Sequence, residues 1–300
     1  MKIPNFFLVG APKSGTTAMT EYLRMHNDIF MPERKELHYF GKDLRFIKGG
    51  IKEESQYLSF FQEARDQERI GEASVWYLYS RLAASEIRAF SHESDIIIML
   101  RNPVDMIYSL HSQFIKIGNE DIESFEDALN AEQERKKGLK IPKKAHFIEG
   151  LYYSEIAKYT AQVRRYIDVF SREKVFIIIF DDFISETEKV YKETLEFLGV
   201  DSEFYPKLNK INANSRFRNV LIHDLLQNPP KIIRWFAKSV IPIKKTRKKL
   251  WKIVMTKNEK QIQRPEMSFE LREELKKYFE KEIEDLSLLL KRDLTFWTSG

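Results

Sequence analysis

The chain has 300 residues, 43% hydrophobic and 32% charged, with 50 Lys and Arg against 45 Asp and Glu for a net charge of +5. That apolar content suffices for a sizeable core, and no run of about 18 apolar residues marks a membrane-crossing helix. With no cysteine and with six histidines that show no H-x3-H spacing, disulfides, thiol catalysis and cysteine zinc sites are excluded and no metal centre is indicated.

In chain order, "FFLVGA", 6–11, reads as the first strand. It is too short for the apolar region of a secretory leader, so a cytoplasmic chain is expected. A helix follows over 16–26, with Thr16 or Thr17 near its N-cap. "IIIML", 96–100, is a second strand, and 103–117 a helix with Pro103 in its first turn, where proline is tolerated. Residues 154–170 place Ile156, Tyr159, Val163, Tyr166, Ile167 and Phe170 on one helical face. "VFIIIF", 175–180, is a third strand, followed by helices over 185–198 and 268–290. The strands are apolar throughout rather than alternating, as in a parallel sheet buried on both faces. Alternating strands and helices argue an α/β fold of three layers, one domain over 1–300 with a basic helical insertion around 225–265. Residues 231–264 carry 12 Lys and Arg and one acid, Glu259, which leaves the rest of the chain at −6.

Residues 10–17, "GAPKSGTT", join the first strand to its helix. Backbone N–H groups in such a turn, with the helix dipole behind them, form an anion cradle. Gly10 and Gly15 are spaced as in the ATP-binding pattern G-x-x-x-x-G-K-[ST]. Thr16, however, follows Gly15, and the lysine is Lys13, inside the turn. A Mg²⁺-dependent P-loop kinase needs an acid near a second strand end to hold the metal. "IIIML" is instead followed by Arg101, a cation suited to binding phosphate directly. The kinase reading could still use Asp181 and Asp182, which otherwise favour the N-terminus of the following helix.

"GAPKSGTT" resembles the 5′-phosphosulfate loop of sulfotransferases that use 3′-phosphoadenosine 5′-phosphosulfate (PAPS). "IIIMLRNPVDMIYSLHSQF", 96–114, is similar to their 3′-phosphate element, with Arg101 at the strand end and Ser109 eight residues on. "KVFIIIFDDF", "TLEFLGVD" and "LLLKRDLTFW" extend the resemblance to most of the chain. It implies a P-loop-like fold with a central parallel sheet flanked by helices. It also implies transfer of a sulfuryl group from PAPS to a hydroxyl or amine, giving 3′,5′-ADP without a metal. Lys13, Ser14, Gly15, Thr16 and Thr17 would then bind the 5′-phosphosulfate, and Arg101 and Ser109 the 3′-phosphate. "NKINANSRFRN", 209–219, looks like the region that supplies further phosphate contacts, here Arg216 and Arg218.

"ERKELHYFGKD", 33–43, resembles the K-E-x-H-F-F element of heparan-sulfate-type enzymes, whose glutamate is the base. Glu36 takes that position, with His38 two residues on along an extended segment, where both side chains share a side. From composition alone Glu36 reads as a solvated acid among Glu33, Arg34 and Lys35; the resemblance makes it the base, and Lys13 the charge for the leaving phosphate. "GEASVWYLYS", 71–80, resembles the family's E-K-S-x-x-Y-F element with Ala73 replacing its lysine; Glu72 reads either as a second base or as a buried hydrogen-bond acceptor, with the structural role favoured. The acceptor would be a carbohydrate, a glycolipid or a small metabolite. The basic stretch 231–252 has three readings: an acceptor cleft for an anionic glycan, a peripheral membrane contact, or an exposed helix pair. No nucleic-acid motif is present. A non-enzyme reading is a membrane-surface nucleotide-binding module that kept the fold and lost catalysis.

Overall fold

The structure, a computed structural model, describes residues 2–46, 50–204, 206, 216–217, 259–260 and 266–299. Five strands form one sheet: β1 (Phe6–Gly10), β2 (Ile29–Phe30), β3 (Arg69–Ala73), β4 (Asp95–Leu100) and β5 (Val175–Ile179). Their order is β2-β3-β1-β4-β5, and every neighbouring pair is parallel. β1 and β4 are buried along their whole length, which is why their sequences are apolar at every position rather than at alternate ones.

Side chains leave a strand alternately to its two faces, and two packed layers result. Phe7, Val9, Ile96, Ile98 and Leu100 enter one core. There they meet α3 (Ala83–Phe90), α4 (Pro103–Ile117), α8 (Tyr159–Phe170) and α11 (Phe269–Leu290), through Ile87, Ile107, Val163 and Phe279. Phe6, Leu8, Ile97 and Met99 enter the other, against Met19 and Leu23 of α1 (Thr16–Arg24) and Tyr191 and Leu195 of α10 (Thr187–Leu198). Smaller helices complete the frame: α2 (Glu54–Leu58), α5 (Phe125–Asn130), α6 (Glu132–Lys136), α7 (Tyr153–Ile156), α9 (Phe180–Ser185) and α12 (Phe296–Ser299). Among the described residues no helix is long and apolar enough to cross a membrane.

Three local expectations change. The helix expected over 154–170 is two, α7 and α8, because the backbone leaves the helical region at Lys158 (φ −80°, ψ 80°). Gln162 stabilises the break: its amide donates to the carbonyls of Ile156 at 3.0 Å and Lys158 at 2.9 Å. The N-cap of α1 is Gly15, not a threonine, with no side-chain cap and no acid in the first turn. Strand β3, "RIGEA", did not announce itself, since a glycine and a glutamate sit in its interior. Gly71 is needed there because a Cβ would lie 2.1 Å from the Phe6 ring and 2.4 Å from the Met31 sulfur.

Between α4 and α8 a long excursion folds back on the body. Its anchor is an ion pair between Arg135 and Glu120 at 2.7 Å, with both side chains wholly buried. The Tyr153 hydroxyl donates to the same carboxylate at 2.9 Å. Asn119 accepts from the amides of His146 and Phe147 at 2.8 and 3.2 Å, which sets Phe147 in an antiparallel bridge with Phe46.

The chain divides into two compact units, residues 1–211 with 267–300, and residues 212–266. In the second, β6 (Arg216–Phe217) pairs antiparallel with β7 (Glu259–Lys260). Apart from Glu259 and Lys260, the basic helices expected around 225–265 lie outside the described residues, as do the stretch 231–252 and Arg218.

Candidate active site

In an open α/β sheet, ligands bind beyond the carboxyl ends of the strands where the chain order reverses. Here β1 is central, with β3 on one side and β4 on the other, and residues 11–15 run from its carboxyl end into α1. Lys13 adopts the left-handed conformation, φ 61°, and Gly15 φ 85°. Lys13 is half-buried and Thr17 exposed, while Ser14 and Thr16 are buried. Ser14 is wholly buried and its hydroxyl donates to the Pro12 carbonyl at 3.3 Å. The first-turn amides of α1 have no capping side chain, which is the donor arrangement an anion needs.

Arg101 stands just past β4 and reaches this loop: its Nη1 donates to the Lys13 carbonyl at 3.2 Å. Its guanidinium lies over the Phe180 ring, 4.8 Å from the centroid, a cation–π contact. Ser109, on α4, is buried at 4% exposure. Helix α4 itself starts as its sequence dictates, with Pro103 at its first position and the Asn102 side chain accepting from the Val104 amide at 3.0 Å. Asp181 and Asp182 open α9, and both are engaged by the C-terminal segment. Asp181 accepts from the Trp297 indole at 3.0 Å, and Asp182 is held bidentately by Arg292 at 2.5 and 2.7 Å. Arg216 sits on β6, away from any residue just described in sequence.

Glu36 and His38 are not on an extended segment as expected. Both have positive φ, 61° and 51°, and His38 Nε2 lies 3.8 Å from Glu36 Oε2. Non-glycine residues in this region are strained, and Lys13, Glu36 and His38 are all among them. Each oxygen of Glu36 has one donor: Lys35 Nζ to Oε1 at 2.6 Å and the Val75 amide to Oε2 at 3.0 Å. Lys35 also donates to Thr16 Oγ1 at 3.1 Å, tying the carboxylate to the first residue of α1. The His38 imidazole stacks on Phe46, with centroids 4.2 Å apart, and Phe46 stacks on Phe147 at 4.4 Å. That burial pushes the His38 pKa down to about 4 against the attraction of Glu36, so the ring is neutral at neutral pH, and Nδ1 has no partner.

Two residues of the site were not visible as such in the sequence. Lys35 looked like one more charge in a charged run, and only the fold brings Thr16 to it. Tyr159 was counted as part of an apolar helix face. Its hydroxyl is wholly buried without a hydrogen-bond partner, and burial raises its pKa against the opposing charge of Arg101. An orphaned buried hydroxyl in the field of an arginine is costly unless something else satisfies it.

A family model described as "Sulfotransferase domain" matches residues 4–287. A solved sulfotransferase from Alicyclobacillus acidocaldarius superposes with a TM-score of 0.74 at 29% identity, over 99% of both chains. Among curated proteins, mouse carbohydrate sulfotransferase 15 is 22% identical over 66% of this chain and 44% of its own length. Human heparan sulfate glucosamine 3-O-sulfotransferase 3B1 is 25% identical over 72% of this chain and 54% of its own. The chain thus spans about half of these curated relatives. With a family match that runs from before β1 into α11, the chain belongs to the sulfotransferase domain family.

Proposed function

We propose that the chain transfers a sulfuryl group from PAPS to a hydroxyl or amine of a carbohydrate-class acceptor, with 3′,5′-ADP as the second product. The observation that carries this reading is the convergence at the β1 end. An uncapped helix N-terminus, a cation on the neighbouring strand end and a carboxylate tethered to that same helix through Lys35 and Thr16 all meet there. The likeness to carbohydrate and heparan sulfate sulfotransferases supports the acceptor class.

The residues fit a bis-anionic nucleotide. Lys13 and the amides of residues 14–17 offer a cradle for the 5′-anion. Arg101, Ser109 and the unsatisfied Tyr159 hydroxyl offer donors for a second phosphate; Arg216 and Arg218 are proposed as further contacts on the family pattern. PAPS, when bound, supplies the sulfuryl group and a stable leaving anion. Glu36 takes the proton of the acceptor hydroxyl through a lone pair not used by Lys35 or Val75. Neutral His38 stands beside it to orient the acceptor or share that proton. Lys35 holds base and helix in fixed register, which is the positioning an in-line transfer requires. The kinase alternative finds no support, since Asp181 and Asp182 are turned to Trp297 and Arg292.

Titration calorimetry with 3′,5′-ADP and with ATP, each with and without Mg²⁺, tests the donor. Tight, metal-independent binding of 3′,5′-ADP is expected; binding of ATP alone, and only with Mg²⁺, would overturn the reading. A panel of carbohydrate, glycolipid and small-metabolite acceptors with ³⁵S-labelled PAPS identifies the acceptor class. On the acceptor found, Glu36→Gln should keep 3′,5′-ADP affinity while transfer falls by about 10²–10⁴-fold. Unchanged transfer would remove Glu36 from the role.

A further inference from the structure

Glu72 lies in the interior of β3 at 1% exposure, a position where an acid survives only if it is well partnered. Three hydroxyls surround its carboxyl group. Ser74 Oγ meets Oε1 at 2.5 Å, while Tyr57 and Tyr77 meet Oε2 at 2.9 and 3.1 Å. Two of these buried hydroxyls also accept from the amides of one loop. Ser74 Oγ accepts from the His38 amide at 3.3 Å. Tyr77 Oη accepts from the amides of Tyr39 at 3.0 Å and Phe40 at 3.3 Å. Three consecutive backbone donors therefore end, through two hydroxyls, on one buried carboxyl group. The same segment of β3 and its exit clamps Glu36 as well: the Glu36 amide donates to the Ala73 carbonyl at 2.9 Å, and the Val75 amide to the Glu36 carboxylate.

We propose that Glu72 is a positioning residue for Glu36 and His38, acting through the hydroxyls of Ser74 and Tyr77 on the backbone of residues 38–40. The need for such a device is local. Glu36 and His38 both sit at positive φ, a conformation that persists only where the surroundings over-determine it. Tyr77 and Ser74 can each accept from the loop because each spends its own proton on Glu72. An amide in place of the carboxyl group would present an N–H to one of them and compete with the loop amides for the same lone pairs. Glu72 touches neither acceptor nor donor; its effect on the reaction passes through the base. That last step rests on the reading of Glu36 as the base, whereas the hold on the loop does not.

Amide hydrogen exchange resolved at residues 36–40, with β4 amides 96–100 as a control, tests the idea without an acceptor. In Glu72→Gln and in Ser74→Ala, protection of the His38 amide should fall about ten-fold, the scale of one lost hydrogen bond, and in Tyr77→Phe that of Tyr39 and Phe40 should do the same. The β4 amides should keep their protection in all three. In the unsubstituted protein, protection at 38–40 corrected for intrinsic exchange should also change between about pH 6 and 8, as a carboxyl group raised to about 7 by burial ionises. In Glu72→Gln that profile should be flat. Protection at 38–40 that is unchanged in the variants, or that falls equally in β4, would overturn the proposal. Should Glu72→Gln not fold, Ser74→Ala and Tyr77→Phe decide by the same criterion. Calorimetry on the same samples separates the two readings: failure of the unsubstituted protein to bind 3′,5′-ADP removes the donor assignment, while the exchange pattern judges Glu72.

Discussion

Glu72 and His38 titrate in opposite senses, and they are neighbours through Ser74. Burial holds the His38 pKa near 4, below the ordinary 6.5 of the unfolded chain. Between those values the unfolded chain binds a proton that the native state refuses, so stability from this residue falls as pH drops from 6.5 to 4. Glu72 is raised to about 7 from 4.5 by desolvation, which outweighs its three hydroxyl partners. There the native state keeps a proton that the unfolded chain gives up, so stability falls as pH rises from 4.5 to 7. Each shift corresponds to about 3 kcal/mol over its window, and between 4.5 and 6.5 the two slopes cancel. Urea unfolding of Glu72→Gln and the unsubstituted protein over pH 4.5–7 isolates one of them. The stability of the variant relative to the parent should rise by about 3 kcal/mol across that window; a flat difference would mean that Glu72 titrates in the folded protein as it does in the unfolded chain. Nothing in the local sequence discloses this pairing. Ser74 and Tyr77 are within five residues of Glu72, but Tyr57 and the 38–40 amides arrive from other segments, and only the fold closes the shell.

At the scale of elements, what was legible tracks how uniformly an element is buried. β1, β4 and β5 read as apolar runs because helices cover both sheet faces, and α4 read to within its observed ends because Pro103 and Asn102 mark its start and Gly118 its close. β3 was illegible because its chemistry is specialised: Gly71 yields space to Phe6 and Met31, and Glu72 serves the loop beyond. The break between α7 and α8 was hidden because an apolar face continues across it, while the carbonyls it exposes are satisfied by a glutamine four residues into α8. Loop 10–17 was legible as a motif, yet its tight constraint is tertiary. A Cβ on Gly15 would lie 3.0 Å from the Phe183 ring and 3.1 Å from the Phe180 ring, and Phe180 is the ring on which Arg101 rests. Gly15→Ala should therefore do two things. The left-handed φ of 85° costs a side chain about 1–2 kcal/mol, which urea unfolding will register. The displaced Phe180 should carry Arg101 with it, so that affinity for 3′,5′-ADP drops about ten-fold or more, the effect of losing a charge-assisted hydrogen bond. Stability lost with affinity intact would separate the glycine from the nucleotide site.

Over the whole molecule, the carboxyl ends of β4 and β5 are closed by residues more than a hundred positions away in sequence. Asn102 donates to the Trp297 carbonyl at 2.9 Å, the Trp297 indole donates to Asp181, and Arg292 grips Asp182. Asn102 follows Arg101 directly, and Asp181 follows Phe180, so the two halves of the Arg101 cation–π pair are each one residue from a contact with this C-terminal segment. The sequence resemblance included "LLLKRDLTFW", but it could not say what those residues grip, because the partners, Asn102, Asp181 and Asp182, are polar groups at helix starts with no periodic signal. Trp297 is 2% exposed, and Trp297→Ala should cost about 3–5 kcal/mol of stability from the lost packing. Trp297→Phe keeps most of the ring and loses only the indole donor to Asp181, for about 1–3 kcal/mol. Arg292→Ala, whose ion pair is half exposed, should cost no more than about 1 kcal/mol. If the C-terminal segment sets the geometry of Arg101, affinity for 3′,5′-ADP, measured by calorimetry well below each variant's unfolding temperature, should fall in the same order: most in Trp297→Ala, less in Trp297→Phe and least in Arg292→Ala. A Trp297→Ala protein that is destabilised yet binds 3′,5′-ADP as the parent does would show that the segment only tethers the chain. The proposed nucleotide site would then owe its shape to the sheet and to the Lys13–Arg101–Phe180 contacts alone.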